Sequence, residues 1–321
     1  MKFKRSEMAT FVPSKKISMG ESFGIPALNQ VEIMIGESGG ANVPPVEEYS
    51  FDKDRLGEFF VFWLSGLKAL KLKGDPAAGK TSLVSQWHAR LNWPLYSLSC
   101  NDRTTADDLI GQFIPQGDGT FKFFYGVVAR AAMEGVSVLL DEGNALEPNA
   151  MLALHMLMEG YPVYVPQTGE TIYPQPNFRV FFTENCLASK LAVAGRHLHD
   201  ASTDDRFMEM NVDYLKPEVE IQVVKRHLTK VGMPADQQEM VADVMVKMAN
   251  RIRSLYHVDG STVIKPMSTR VLKRWAVLAW GFRGVSKRNE DPMLFSLQRA
   301  FGGLTPEMWA EVKAEYSKIA G

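Results

Sequence analysis

The chain has 321 residues, of which 45% are hydrophobic and 23% charged, so it is long enough for two domains of ordinary globular composition. Its 36 basic and 37 acidic residues nearly cancel, which argues against a generally basic surface and against nucleic acid as a partner. The longest apolar stretch, residues 59–64, is far too short to span a bilayer, and no apolar segment follows the basic start of the chain. Cys100 and Cys186 indicate free thiols in a reducing compartment. We therefore expect a cytoplasmic protein without a membrane partner.

The pattern along the chain predicts three segments. Residues 1–50 contain paired glycines and paired prolines and show no sustained period, which is typical of an arm or linker. Apolar strands and helices then alternate, which predicts an α/β core over residues 51–215. Helical periodicity continues from there to the end, which predicts a helical domain over residues 216–321.

A phosphate-binding loop is predicted by the sequence GDPAAGKT at residues 74–81, which matches the pattern GxxxxGK[ST] between a short strand and a helix. The glycines let backbone N–H groups converge on the β-phosphate, Lys80 reaches the β- and γ-phosphates, and the Thr81 hydroxyl binds Mg²⁺ at the helix N-terminus. The order of strand, loop and helix disfavours a chance match. The motif therefore predicts binding of ATP and Mg²⁺ by Gly74, Asp75, Pro76, Ala77, Ala78, Gly79, Lys80, Thr81 and Ser82.

Two carboxylates follow a second apolar run, VSVLLDE at residues 136–142, which is typical of a buried parallel strand. Open α/β sheets bind ligands at the carboxyl ends of such strands. We expect Asp141 to hold Mg²⁺ in its outer shell and Glu142 to accept a proton from the attacking water. The alternative is that both acids only cap the next helix, which Pro148 opens.

Two glycine-punctuated excursions interrupt the α/β pattern. Residues 111–125 turn at QGDGTF, and residues 161–176 turn at Thr168-Gly169, so each predicts a β-hairpin. The first carries the aromatic run FKFFY, which either grips a substrate or forms the packed face of the hairpin. Between the excursions, residues 148–160 predict a mainly buried helix.

The order of these motifs resembles one family. The phosphate loop and DE strand are followed by PNFRVFFTEN at residues 176–185, DDRF at residues 204–207 and MSTRVLKRWA at residues 267–276. From about residue 50 onward this order is similar to AAA+ ATPases of the MoxR kind, in particular to the ATPase subunits of cobaltochelatases. The resemblance implies an α/β fold, a doubly wound parallel sheet followed by a C-terminal helical lid.

The resemblance also implies roles for three further residues. Asn185 would be sensor 1, which positions the attacking water. Arg206 would be the arginine finger that reaches the γ-phosphate of a neighbouring subunit, with Arg196 as the rival candidate and a local pair with the preceding aspartates as the other reading. Arg270 would be sensor 2 on the helical lid, although an ordinary solvated helix charge is the alternative.

Assembly and partners follow from the same resemblance. Members of this family work as rings, so we expect a homo-oligomer, with the hexamer as the predicted size. The two hairpins would face the central pore of the ring or a partner. That partner is expected to include a von Willebrand factor A domain with a metal-dependent adhesion site, and insertion of metal into a corrin ring is one conceivable output.

The chain departs from the family pattern at four positions. Ala77 stands where the loop usually has glycine, and Lys71 and Lys73 stand in the preceding strand where apolar residues are expected. Sensor 1 reads TEN rather than TAN, which places the extra acid Glu184 near the site or pointing away from it. The loop and strand changes could weaken or slow nucleotide turnover.

The sequence thus predicts a ring-forming ATPase that hydrolyses ATP to ADP and phosphate and uses the energy to remodel a partner protein. Two alternatives stay open. One is a nucleic-acid-translocating motor, which the neutral charge disfavours. The other is a nucleotide-gated scaffold with little hydrolysis, which Ala77 and Glu184 leave room for and Glu142 and Arg206 argue against.

Overall fold

The computed structural model describes residues 10–185 and 201–320. These residues divide into two compact units. The first contains the described residues of 10–73, 80–185 and 201–212, and the second contains residues 74–79 and 213–320.

A five-stranded parallel sheet forms the centre of the first unit. The strands of this unit are β1 (Lys15–Ser18), β2 (Glu32–Ile35), β3 (Ala69–Gly74), β4 (Leu95–Ser99), β5 (Gly111–Pro115), β6 (Phe121–Tyr125), β7 (Ser137–Asp141), β8 (Val163–Val165), β9 (Glu170–Ile172), β10 (Arg179–Asn185) and β11 (Met208–Asn211). The central sheet has the order β11-β3-β10-β7-β4. Strand β10 therefore lies between the strand that leads into the phosphate loop and the strand that ends in Asp141.

Helices cover both faces of this sheet. They are α1 (Met19–Phe23), α2 (Lys53–Ser65), α3 (Lys80–Arg90), α4 (Ala106–Ile110), α5 (Val127–Glu134), α6 (Pro148–Leu152), α7 (His155–Met158) and α8 (Ala201–Asp204). Because side chains alternate along a strand, Val138 and Leu140 pack with α5 and α6, whereas Leu139 packs with α2 and α3. The sheet is thus doubly wound, as predicted. The helix expected over residues 148–160 is divided into α6 and α7.

The N-terminal region differs from the arm or linker expected for residues 1–50. Strands β1 and β2 pair as an antiparallel hairpin in the register Ile17↔Ile33. Met19, Phe23, Ile33 and Ile35 are buried in the same core cluster as helix α2. Their apolar side chains therefore gain the stabilisation of burial that an extended linker lacks. The expectation failed because these residues are spread over short elements without a sustained period.

Both predicted hairpins are present. Strands β5 and β6 pair antiparallel, and so do β8 and β9. In the first hairpin Phe123 is buried, whereas Phe121 is 68% exposed. The Tyr125 hydroxyl donates to the Glu170 carboxylate and so connects the two hairpins.

The second unit is helical apart from its loop at residues 74–79. Its helices are α9 (Pro217–Lys230), α10 (Ala235–Tyr256), α11 (Thr269–Gly281), α12 (Pro292–Ala300) and α13 (Pro306–Ala320). They share one apolar core, in which Trp275 and Phe301 are among the largest fully buried side chains. Among the described residues, none of the helices combines the length and apolar character needed to cross a membrane. The domain boundaries at residues 50 and 215 stay predictions.

Candidate nucleotide-binding site

The phosphate loop, residues 74–79, has two backbone positions in the left-handed region. Gly79 has a φ of 103°, which only glycine adopts readily, and Ala77 has a φ of 56°. An alanine in this region costs about 1–2 kcal/mol because its Cβ crowds the following carbonyl oxygen. The Ala78 N–H donates to the Asp75 carbonyl at 3.2 Å, which closes a tight turn inside the loop. The loop therefore keeps the glycine-like conformation although one glycine of the family pattern is replaced.

Side chains of the second unit hold this loop. The Tyr214 hydroxyl donates to the Pro76 carbonyl at 2.8 Å, and Asp75 Oδ2 lies 3.1 Å from His257 Nε2. Burial raises the pKa of Tyr214, so its hydroxyl remains a neutral donor. The loop is thus anchored by side chains from outside the motif itself.

Further contacts connect Tyr214 to the start of helix α11. The Arg253 guanidinium lies 3.9 Å from the centre of the Tyr214 ring and forms two hydrogen bonds with Glu220, at 2.7 and 2.8 Å. Glu220 is fully buried and also accepts a hydrogen bond from the Thr269 hydroxyl at 2.7 Å. Thr269 precedes Arg270, which is exposed in the first turn of the helix. A chain of contacts therefore leads from the phosphate loop to the helix that carries Arg270.

In the first unit, Lys80 and Asn185 meet. The Lys80 Nζ donates to Asn185 Oδ1 at 2.8 Å, and both side chains are buried, at 6% exposure each. Lys80 begins helix α3, and Asn185 is the last residue of strand β10, which neighbours β3 in the sheet. The sheet order thus brings the predicted phosphate-binding lysine and the predicted sensor 1 into direct contact.

Two threonine hydroxyls share one carboxylate oxygen. Thr81 and Thr183 each donate to Asp141 Oδ1 at 2.6 Å. Thr81 and Asp141 offer only oxygen donors, which are the ligands that Mg²⁺ prefers, so this pair fits the cation that the family implies. The nearby Cys100 is a buried free thiol whose pKa burial raises to about 12, with smaller contributions from Asp141 and Glu142, so it stays neutral.

Glu142 is held in a strained backbone conformation. Its φ is 54° and its ψ 39°, a left-handed geometry that is uncommon outside glycine. The Glu142 N–H donates to Thr183 Oγ1 at 2.9 Å, which fixes this turn to strand β10. The next residue must be glycine, because a Cβ on Gly143 would lie 2.2 Å from the ring of Phe182. The turn leaves the Glu142 side chain exposed, as a base that meets water requires.

Arg206 lies in the segment between α8 and β11. Its NH1 donates to Ser202 Oγ at 2.9 Å, and its Nε lies 3.0 Å from Glu159 Oε1. That second contact is an ion pair and does not meet the geometry of a hydrogen bond. Its rival as arginine finger, Arg196, lies outside the described residues.

Two residues that organise these sites were not predicted from the sequence. Thr183 bridges Asp141 and the backbone of Glu142, and Tyr214 anchors the phosphate loop. A signal for Thr183 existed, because it precedes Asn185 by two residues and so lies on the same face of its strand. No local pattern marked Tyr214, since its partner Pro76 is 138 residues away.

Comparison with known proteins identifies relatives of this chain. The sequence model of one protein family, the AAA domain (dynein-related subfamily), matches residues 69–207. "Aerobic cobaltochelatase subunit CobS" from Sinorhizobium sp is 25% identical over 95% of this chain and 96% of its own length. "Denitrification regulatory protein NirQ" from Pseudomonas aeruginosa is 31% identical over 65% of this chain and 75% of its own length. "Protein NorQ" from Paracoccus denitrificans is 30% identical, with 63% of this chain and 69% of that protein covered.

These similarities confirm both the fold class and the resemblance inferred from the motifs. The relatives match well beyond the phosphate loop, and the similarity to the cobaltochelatase subunit extends over nearly the whole chain. This chain belongs to the AAA+ ATPases of the MoxR kind.

Proposed function

We propose that the protein hydrolyses ATP to ADP and phosphate in a homo-oligomeric ring and uses the energy to remodel or activate a partner protein. The observation that carries this proposal is the meeting of Lys80, Thr81, Asp141, Thr183 and Asn185 at neighbouring strand ends. Phosphoryl transfer needs charge stabilisation and positioning rather than covalent chemistry, and these groups are suited to that task.

Each residue then has a defined task. The amides of residues 74–79 and the Lys80 ammonium bind the phosphates, and Thr81 and Asp141 hold Mg²⁺, which supplies further charge neutralisation. Glu142 accepts the proton of the attacking water, and Asn185 orients that water. The contact between Lys80 and Asn185 supports this arrangement because it places the phosphate-binding ammonium beside the amide that would orient the water.

Ring formation is part of the proposal because Arg206 acts on the nucleotide of the neighbouring subunit. Glu159 and Ser202 of the same subunit restrict the conformations of the Arg206 side chain. The side chain therefore loses less conformational entropy when it reaches the neighbouring subunit. Arg270 senses the γ-phosphate from helix α11. A hexamer in the cytoplasm is the assembly we expect from the family.

The hairpins support the choice of a protein as the partner. Phe121 on the first hairpin and Tyr164 on the second are 68% and 60% exposed. Exposed aromatic side chains are enriched in protein interfaces. One relative is named as a cobaltochelatase subunit, so a chelatase complex with a von Willebrand factor A protein is the partner we propose.

The test is ATP turnover by variants of single side chains. Lys80→Ala should abolish ATP binding because it removes the phosphate charge. Glu142→Gln should bind ATP yet hydrolyse it at least about a hundredfold more slowly, because only the proton acceptor is lost. Glu147→Gln is the matched control, since Glu147 is an exposed carboxylate in the same segment and should keep parental turnover.

Assembly and specificity are tested with the same preparations. Turnover per subunit should rise with protein concentration as rings form, and Arg206→Ala should assemble and bind ATP but hydrolyse it poorly. Equal turnover by Glu142→Gln and the parent would refute the role of the base. ATP-dependent assembly without hydrolysis would favour the scaffold, and strong, salt-sensitive stimulation by DNA without any response to a von Willebrand-type protein would favour the nucleic-acid motor.

A further inference from the structure

Three of the departures from the family pattern belong to one charged cluster. Lys71 is fully buried in strand β3, and its Nζ contacts three carboxylates. It forms a salt bridge and hydrogen bond with Asp204, lies 3.5 Å from Glu209 Oε1, and lies 3.9 Å from Glu184 Oε2. The charged residues that looked unfavourable in the sequence therefore neutralise one another's charge in the fold.

The sheet fixes the geometry of this cluster. Glu209 in β11 is the register partner of Lys71 in β3, and Lys73, two residues further along the strand, pairs with Glu209 at 2.6 Å. The Lys71 ammonium also lies 4.7 Å from the centre of the Phe207 ring. A buried ammonium is tolerated only when it is paired. The Lys71 ammonium is surrounded by three carboxylates and by the face of an aromatic ring.

The partners of Lys71 lie next to two predicted functional residues. Glu184 immediately precedes Asn185, and Asp204 and Glu209 are on either side of Arg206. Burial raises the pKa of Glu184, a tendency that the nearby Lys71 and Lys73 oppose. One lysine thus ties the strand that carries sensor 1 to the segment that carries the arginine finger.

We propose that Lys71 is a positioning residue, which through Asp204 and Glu184 sets the place of Arg206 relative to Asn185 within each subunit. This inference rests on the proposed ATPase function and deepens it. The nucleotide of one subunit would be sensed by Asn185, and the same salt-bridge cluster would orient the finger offered to the next subunit. The cluster couples neighbouring sites around the ring in this way.

The experiment measures kcat and the KM for ATP of assembled rings. Lys71→Met removes the central charge. Asp204→Asn is the milder variant, because it keeps the size of the side chain and leaves Lys71 with Glu184 and Glu209, while it loses the salt bridge that reaches the finger segment. Asp205→Asn is the matched control, since Asp205 is the exposed neighbouring carboxylate in the same segment. We expect Asp204→Asn to lower kcat about tenfold or more with little change in KM, because misplacing a catalytic group by about 1 Å is this costly.

Mixed rings separate positioning from mere stability. Subunits with Lys80→Ala bind no ATP but offer a finger, and subunits with Arg206→Ala bind ATP but offer none, so activity in the mixture requires a finger given in trans. Adding Asp204→Asn or Lys71→Met to the finger-giving subunit should lower this restored activity about tenfold. Adding Asp205→Asn there should leave it within about twofold.

The possible outcomes separate the inference from the function on which it rests. If Asp204→Asn lowers the unfolding temperature but leaves kcat and the mixed-ring activity at the parental level, while Arg206→Ala remains inactive, the cluster is only structural and the positioning role is wrong. If the parent itself hydrolyses no ATP, or if Arg206→Ala is as active as the parent, the proposed function fails and this inference fails with it. Loss of kcat in both assays with an intact Asp205→Asn control supports the proposal.

Discussion

Replacing Ala77 by glycine should stabilise the nucleotide-free protein, although most substitutions destabilise. Ala77 is one of the described non-glycine residues with a positive φ, at 56°, in the phosphate loop. Alanine pays about 1–2 kcal/mol for this conformation, whereas glycine adopts it freely. Glycine in turn costs about 0.5–1 kcal/mol through the greater entropy of the unfolded chain. We expect a net gain of about 0.5–1 kcal/mol in the free energy of unfolding.

Ala78→Gly is the matched control and should have the opposite sign. Ala78 is the next residue, its φ is not positive, and its side chain is only 7% exposed. Glycine there loses a buried methyl group worth about 0.8 kcal/mol and adds the same entropic cost of about 0.5–1 kcal/mol. The two variants therefore differ by about 2 kcal/mol although they change the same atoms one residue apart.

The assay is urea unfolding without nucleotide, followed by circular dichroism. With a slope of about 3 kcal/mol per molar urea, the midpoint should rise by about 0.2–0.3 M for Ala77→Gly and fall for Ala78→Gly. Destabilisation of similar size by both variants would refute the argument, because it would mean that Ala77 bears no backbone strain. Equal slopes are needed for the comparison, since a changed slope would indicate a changed unfolded state.

Three further predictions concern single groups. Arg253→Met leaves the fully buried Glu220 without its charged partner, so the free energy of unfolding in urea should fall by about 3–5 kcal/mol and recover largely in the double variant with Glu220→Met. Gly143→Ala places a Cβ 2.2 Å from the Phe182 ring, so it should destabilise by about 1–3 kcal/mol in the same assay and slow ATP turnover, whereas an open glycine such as Gly284 should accept alanine. Burial lowers the pKa of His88 from 6.5 to about 3, so protons bind the unfolded state preferentially between these values; stability should be fully present above pH 6.5 and fall by about 1.4 kcal/mol per unit below it. His88→Leu should remove that slope in urea unfolding between pH 7 and pH 5, and an unchanged slope would contradict the assignment.

Local sequence patterns indicate which residues are expected to act on the nucleotide better than they indicate which residues hold these in place. The phosphate loop and the DE strand each occupy a few consecutive residues, so their strand, turn and helix contexts can be recognised without knowing any neighbour. Strand β10 runs from Arg179 to Asn185. Its length matters because it places Thr183 and Asn185 on one face at the end of the strand.

The N-terminal hairpin and the lysines of strand β3 show where pattern reasoning failed. Ile33 and Ile35 are buried, but their strand is only 4 residues long, so no period rises above the surrounding irregular sequence. Lys71 looked unfavourable in a central strand because its partners Glu184 and Asp204 are more than a hundred residues away. The burial of a charge can be judged only when its partners are known.

The sequence by itself determined the family, the doubly wound α/β class and the identity of the residues expected to act on the nucleotide. The motifs that carry the family resemblance depend on residue type and on spacing within short segments, which the chain displays directly, and the resemblance in turn implies the fold class and several of the residue roles. Only the tertiary structure decided that β10 lies between β3 and β7, which brings Asn185 against Lys80 and Thr183 against Asp141. The physical reason is that periodicity shows which face of a strand is buried but not which strand packs beside it, since that choice depends on contacts between residues far apart in the chain.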